Sequence, residues 1–217
     1  MTTTLDGPRV GPQNGAAPDR LVVFVHGYGA DGNDLIGLAR YFQKEMPTAA
    51  FVSPNAPERI PGQPFGYQWF GITRLDPELM AAGADSAAPI LDAFLDAELD
   101  RLGLDQSRLA LVGFSQGTMM SLHVGLRRKV SPAAIVGFSG ALVGADRLPA
   151  EIVSRPPVLL VHGDADPMVP VQALHAAVSG LGAAGVVVQW HVSRGLGHSI
   201  DPEGLALAIP FLRDAFG

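Results

Sequence analysis

The chain alternates short unbroken apolar runs with longer segments whose apolar residues recur every three or four positions. Leu21-Val22-Val23-Phe24-Val25 is the first such run. Rich in β-branched residues and with no polar alternation, it predicts a strand buried on both faces, as in a parallel sheet. Residues 49–53, 108–114, 133–138, 158–161 and 186–192 read as further strands on the same grounds. Between them the spacing predicts helices. After the first strand, Leu35, Leu38 and Phe42 fall on one face, with Asn33 or Asp34 as N-cap. Residues 86–102 carry Leu91, Phe94, Leu95 and Leu102 at helical spacing, and Pro89 would then sit in the first turn, where proline is tolerated. Segments 118–128, 170–181 and 202–216 complete the set, the last with Leu205, Ile209, Leu212 and Phe216 on one face and a kink expected at Pro210.

This alternation, without repeats or a dividing linker, predicts one α/β domain over residues 21–217, with a mostly parallel central sheet and helices on both faces. Residues 1–20 read as a polar N-terminal tail or edge segment. Residues 54–83 resist assignment: Pro54, Pro57, Pro61, Pro64 and Pro77 interrupt them, while Tyr67, Trp69 and Phe70 argue against disorder. In sheets of this kind ligands bind past the carboxyl ends of the strands, so chemistry-bearing residues there carry the functional reading.

Composition narrows the classes. Of 217 residues, 47% are hydrophobic and 17% charged, which suits a well-buried core. The net charge is −6, and the one basic run, Arg127-Arg128-Lys129, falls at a predicted helix C-terminus, where cations complement the helix dipole. No basic stripe tracks phosphates, so no nucleic-acid partner is expected. The chain has no cysteine, which removes disulfides and thiolate chemistry and is compatible with cytoplasm. Residues 1–20 hold no apolar core for a signal peptide, and no run approaches the ~20 residues of a membrane span. A soluble, cytoplasmic protein with no integral membrane segment is expected, either a monomer or a weak homodimer.

Against this background Gly113-Phe114-Ser115-Gln116-Gly117 stands out. A serine flanked by glycines two residues away on each side, between a strand and a helix, fits a nucleophile elbow. So sharp a turn forces the serine backbone into a sparsely allowed region and brings other chain close, so bare Cα positions are needed beside it. A serine is a poor nucleophile at neutral pH without a base held by a third group, and on this fold the chain order is serine, acid, histidine.

Six histidines are available. His26 and His162 precede the acid in glycine-rich turns, where a structural role fits better. His123 lies about two turns along the elbow helix, too far on to return to Ser115. His175 is on a predicted surface helix and His191 inside a strand. His198, in Gly195-Leu196-Gly197-His198-Ser199 past the last strand, is where the base is needed. Asp164 and Asp166 are both candidates for the acid, and the residues alone do not choose between them. The two oxyanion donors are expected to be the backbone N–H of Gln116, next to the nucleophile, and that of Tyr28 in His26-Gly27-Tyr28-Gly29.

Two rival chemistries fit less well. Gly27-Tyr28-Gly29-Ala30-Asp31-Gly32 is a literal dinucleotide fingerprint, but no acidic residue ends the second strand to bind a ribose. His162, Asp164 and Asp166 could suggest a metal, but three potential ligands in one turn without a fourth match no common site. No metal or organic cofactor is expected.

The elbow, extended through Thr118-Met119, resembles that of the phospholipase/carboxylesterase family of α/β-hydrolases, which includes acyl-protein thioesterases. The resemblance covers nearly all of the chain after residue 20. His26-Gly27-Tyr28-Gly29 is similar to the family's oxyanion segment, and Ser53-Pro54-Asn55-Ala56-Pro57 to its post-strand loop. Trp69-Phe70 stands where the family has a Trp-Phe pair. The stretch from His162-Gly163-Asp164-Ala165-Asp166-Pro167 to Pro170 resembles its acid motif, and Gly197-His198-Ser199 its histidine loop. The resemblance implies Asp166 as the acid and a small-molecule acyl ester as substrate. It is nearer to bacterial carboxylesterases than to protein deacylation. Tyr28 departs from the leucine common in the thioesterases; the backbone donor survives that change. Trp69, Phe70, Met168 and Val169 are candidate walls of an apolar acyl site.

Overall fold

The computed structural model describes residues 4–72 and 76–217; residues 73–75, part of the proline-interrupted stretch 54–83, and residues 1–3 of the tail lie outside the described residues. A seven-stranded sheet runs through the centre in the order β1-β3-β2-β6-β7-β8-β9. Its members are β1 (Arg9–Val10), β2 (Arg20–Val25), β3 (Ala49–Val52), β6 (Leu109–Phe114), β7 (Ala134–Phe138), β8 (Val158–Gly163) and β9 (Val188–Ser193). All neighbours are parallel except β1, which pairs antiparallel with β3 at the edge. β1 falls in the polar N-terminal segment. Its Arg9 reaches over to the buried Glu98 carboxylate at 2.7 Å, which fastens this segment to the body.

The unbroken apolar runs are explained by the layers. Leu21, Val23, Val25, Leu109 and Leu111 face one side of the sheet, under α3 (Pro77–Leu102), α4 (Gln116–Gly125) and α6 (Gln172–Ala183). Val22, Phe24, Ala110, Val112 and Phe138 face the other, under α1 (Gly32–Ile36), α2 (Ala39–Phe42) and α7 (Pro202–Phe216). Strand side chains alternate between faces, and here each face meets a helix layer, so both sets are apolar. On the second side Phe24 packs edge-on to Phe42 at 5.7 Å and stacked with Phe51 at 5.9 Å.

Several boundaries differ from the sequence reading. The first helix is capped by Asp31, whose Oδ1 accepts from Asn33 N–H at 2.8 Å, and not by Asn33 or Asp34. The helix expected from residue 86 begins at Pro77, behind an Asp76 cap that accepts from the N–H groups of Glu78 and Leu79. Its added turns bury Ala81 and Ala84, which continue to Ala87 as a stripe too small to register as an apolar face. Pro89 therefore sits well inside the helix and not in its first turn, and the helix runs through it to Gly103, at φ 65°. A short helix α5 (Leu148–Glu151) was not foreseen, and the stretch 54–83 contains a two-stranded hairpin, β4 (Glu58–Arg59) with β5 (Tyr67–Gln68).

Candidate active site

β6 delivers Ser115 to the carboxyl edge of the sheet at φ 55°, ψ −118°, and α4 starts at the next residue. A non-glycine residue with positive φ persists only where its surroundings over-determine it. Here they do. A Cβ on Gly117 would lie 1.7 Å from the Val25 carbonyl oxygen, and one on Gly113 2.5 Å from the Gly117 backbone. The Ser115 N–H donates to the Phe138 carbonyl at 2.9 Å, and the N–H of Thr118 donates to the Ser115 carbonyl at 3.0 Å. The hydroxyl thus stands at a helix N-terminus, where the dipole favours developing negative charge.

Past β9, Gly195 turns the chain at φ 69° and brings His198 back over the elbow. The imidazole leans on the Phe114 ring, with centroids 4.8 Å apart. Its Nδ1–H donates to Asp166 Oδ2 at 2.7 Å. Among the described residues the hydrogen bonds of His198 run through Nδ1, and none joins Nε2 to the Ser115 hydroxyl.

Asp166, past β8, is buried, and its other oxygen accepts from the N–H groups of Met168 at 2.8 Å and Val169 at 2.9 Å. Burial pushes its carboxyl up, but the bonds from Val169, His198 and Met168 outweigh it and hold the pKa below the usual aspartate value. The carboxylate is therefore ionised at neutral pH and fixes which imidazole nitrogen carries the proton. Asp164, the other candidate acid, crosses to the histidine loop, where Oδ1 accepts from Gly195 N–H at 2.6 Å, and the Asx bonds that brace the acid turn belong to Asp166. The buried His162 donates from Nε2 to the Val169 carbonyl at 2.8 Å and lies 3.4 Å from Asp166 Oδ2.

Near the elbow the loop after β2 closes over Ser115: a Cβ on Gly27 would sit 3.2 Å from the serine Cβ. Tyr28 follows, its side chain 42% exposed. His26 is buried and structural. Ala56 N–H donates to its Nε2 at 3.0 Å, so Nδ1 carries the hydrogen and donates to Gly27 O at 2.7 Å, while burial holds its pKa below the usual histidine range.

Two of the four candidate acyl-site walls are elsewhere. Trp69 and Phe70 are 1% and 4% exposed and pack in the core beneath α3, so neither ring offers an open wall. Met168 is 64% exposed and Val169 half-buried beside Asp166. A cleft of about 310 Å³ opens beside the imidazole, between Leu35, Leu38, Phe114, His198 and Ile200. Of the other histidines, His175 is exposed against the Trp190 ring, His191 is half-buried, and His123 is buried in the α3–α4 interface with Nε2 3.1 Å from Asp85. The bond from Gly195 N–H to Asp164, and those of the Gln116 side chain with Trp69 N–H and Phe70 O, had no counterpart in the sequence reading, because partners far along the chain leave no local signal.

Comparison with known proteins bears on the family and the fold. A family model described as Phospholipase/Carboxylesterase matches residues 10–215. The acyl-protein thioesterase 1 of Gibberella zeae is 31% identical, covering 88% of this chain and 88% of that protein. Esterase YpfH of Escherichia coli is 27% identical over 91% of this chain and 85% of its own length. Among solved structures, the crystal structure of esterase PE8 superposes with a TM-score of 0.93 at 45% identity, covering 98% of this chain and 99% of that one.

Proposed function

The chain belongs to the phospholipase/carboxylesterase family and is thus a serine hydrolase acting on ester bonds; from that premise we propose that it is a carboxylesterase for short-to-medium acyl esters, working through Ser115, His198 and Asp166. Ser115 Oγ attacks the ester carbonyl carbon while its proton passes to His198 Nε2. Asp166, held against Nδ1–H, orients the ring and stabilises the imidazolium. The N–H groups of Gln116 and Tyr28 receive the oxyanion of the tetrahedral intermediate. Its collapse breaks the ester C–O bond, and the alcohol leaves with the proton from His198. Water then repeats the sequence on the acyl-serine, giving its proton to His198 and releasing the acid and free Ser115.

The observation that carries this reading is the 2.7 Å Asp166–His198 pair, its imidazole packed on Phe114 next to a serine held at positive φ. Ser115→Ala and His198→Ala are expected to lower kcat on a short p-nitrophenyl ester by on the order of 10⁴–10⁶, and Asp166→Asn by somewhat less. Full activity in Ser115→Ala would sink the assignment. The cleft beside His198, with Met168 and Val169 near Asp166, is proposed to receive the substrate.

The name of the Gibberella zeae relative favours a second substrate reading, acyl-protein thioesters, and lysophospholipids suit the same scaffold. A panel of acyl lengths run as paired oxygen esters and thioesters separates the readings by their kcat/KM order. Among the described residues no helix is long and apolar enough to cross a membrane. A cytoplasmic setting and a monomer or weak homodimer are part of the proposal.

A further inference from the structure

The two proposed oxyanion donors belong to segments that are distant in sequence, the loop after β2 and the start of α4. A transition-state site needs them held at a fixed separation. The segment Gly66–Phe70 runs between them and is hydrogen-bonded to both. At one end Tyr67 exchanges two backbone bonds with the oxyanion loop: Gly29 N–H donates to Tyr67 O at 2.9 Å, and Tyr67 N–H to Ala30 O at 2.8 Å. In the middle the Trp69 indole N–H donates to the His26 carbonyl at 3.0 Å. At the other end the Gln116 side-chain amide clasps the same segment, accepting from Trp69 N–H at 2.9 Å and donating to Phe70 O at 2.7 Å.

These contacts do more than fill space. The Gln116 side chain has no exposed surface, and both its polar ends are satisfied by one peptide segment, which fixes the rotamer and with it the first turn of α4. Gly66 permits the approach at the far end: it stands at φ 88°, and a Cβ there would lie 2.3 Å from the Gly29 carbonyl oxygen. Burial is complete on the indole side too, so a lost bond leaves the His26 carbonyl without a partner, a cost a buried group cannot recover from water.

We propose that Trp69 and the side chain of Gln116 are positioning residues: the Gly66–Phe70 segment is a hydrogen-bonded splint that sets the spacing of the Tyr28 and Gln116 backbone donors. The inference rests on the triad and oxyanion reading above. It makes the side chain of Gln116 matter for a reason separate from its backbone N–H. It also assigns Trp69 to transition-state stabilisation and not to acyl-chain contact. Displacing either donor by a fraction of an ångström weakens a bond that forms only as charge develops, so the damage falls on kcat more than on KM.

The test compares Trp69→Phe and Gln116→Met with the wild type on a short p-nitrophenyl ester, each below its own melting temperature. Affinity for a trifluoromethyl ketone, which captures the serine as an oxyanion-bearing adduct, is measured alongside. Both variants are expected to lose about 10–100-fold in kcat, with KM within about threefold and ketone affinity falling in step with kcat. A folded variant with wild-type kcat, a loss confined to KM, or an unchanged ketone affinity would overturn the splint. Should Gln116→Met fail to fold, replacement of Trp69 by benzothienylalanine removes the indole N–H while keeping the ring volume, and its kcat decides. Fluorophosphonate labelling separates the two levels. Absence of label on the wild type overturns the triad reading and the splint with it, whereas full labelling with undiminished variant kcat overturns the splint alone.

Discussion

The elbow and the Gly66–Phe70 segment meet at Gln116, yet they are held in different ways. At the elbow, steric exclusion does the holding: Gly113 and Gly117 leave no room for any side chain, and the strain at Ser115 follows from the closeness of β2 and α4. The segment is held by hydrogen bonds to Gln116 and His26, across sequence separations of 43 to 47 residues. A sterically fixed turn writes itself into a local motif, because only glycine fits. A segment fixed by distant carbonyls and amides leaves no such mark, because any residue supplies a backbone N–H and C=O. The difference also predicts how each fails: the elbow by loss of fold, the segment by loss of catalysis first.

Substituting the elbow glycine gives the sharpest break. Gly117→Ala drives a methyl into the Val25 carbonyl, with backbone on both sides of the clash, and is expected to cost at least about 3 kcal/mol, read as a fall in the urea midpoint or as insoluble protein. Wild-type stability in that variant would mean that the elbow is not sterically fixed. Gly66→Ala is expected to cost about 2 kcal/mol from its positive φ and its contact with Gly29 O, and, unlike a change on an exposed loop, to lower kcat in the fraction that remains folded. Equal kcat in wild type and Gly66→Ala would remove the distinction between the two regions.

The smallest effect concerns the helix that follows the elbow. His123 faces Asp85, Arg127, Arg147 and Glu151; burial, and then the Arg127 charge, push its pKa down to about 4. The folded state therefore takes up this proton only near pH 4, whereas the unfolded chain takes it up near an ordinary histidine value of about 6.5. Stability from this group is full above that higher value and is lost as pH falls toward 4. Between pH 7 and 5 the wild type is expected to lose about 2 kcal/mol more than His123→Gln, measured as the difference in urea unfolding free energy. Parallel pH profiles for the two proteins would show that His123 is not held neutral by the α3–α4 interface.

Sequence legibility followed the same division. The inner strands β2, β3, β6, β7 and β8 were readable because both faces are buried, whereas β1 at the edge lay hidden in the polar N-terminal segment, and the start of α7 matched because Asp201 caps it ahead of Pro202. Helix α3 was cut short because its first turns present alanines, whose burial gives no periodic signal, and Pro89 looked like a boundary it is not. Trp69 and Phe70 read as candidate walls of an acyl site because aromatics in a proline-rich stretch carry no indication of which side faces the core. His123 was correctly kept apart from Ser115 by helical distance, but nothing in its neighbours along the chain indicated that it is buried against Asp85.

By itself the sequence determined the strand–helix alternation, the glycines that make the elbow possible, and the order of serine, aspartate pair and histidine at Ser115, Asp164 with Asp166, and His198. Periodicity and steric exclusion act over a few residues and are written where they act. Only the tertiary structure decided that Asp166 rather than Asp164 meets the imidazole, that Asp164 instead holds Gly195, and that Gln116 and Trp69 tie the loop after β2 to the start of α4. Each of those outcomes is set by a directional bond between loops that the fold alone brings within 3 Å.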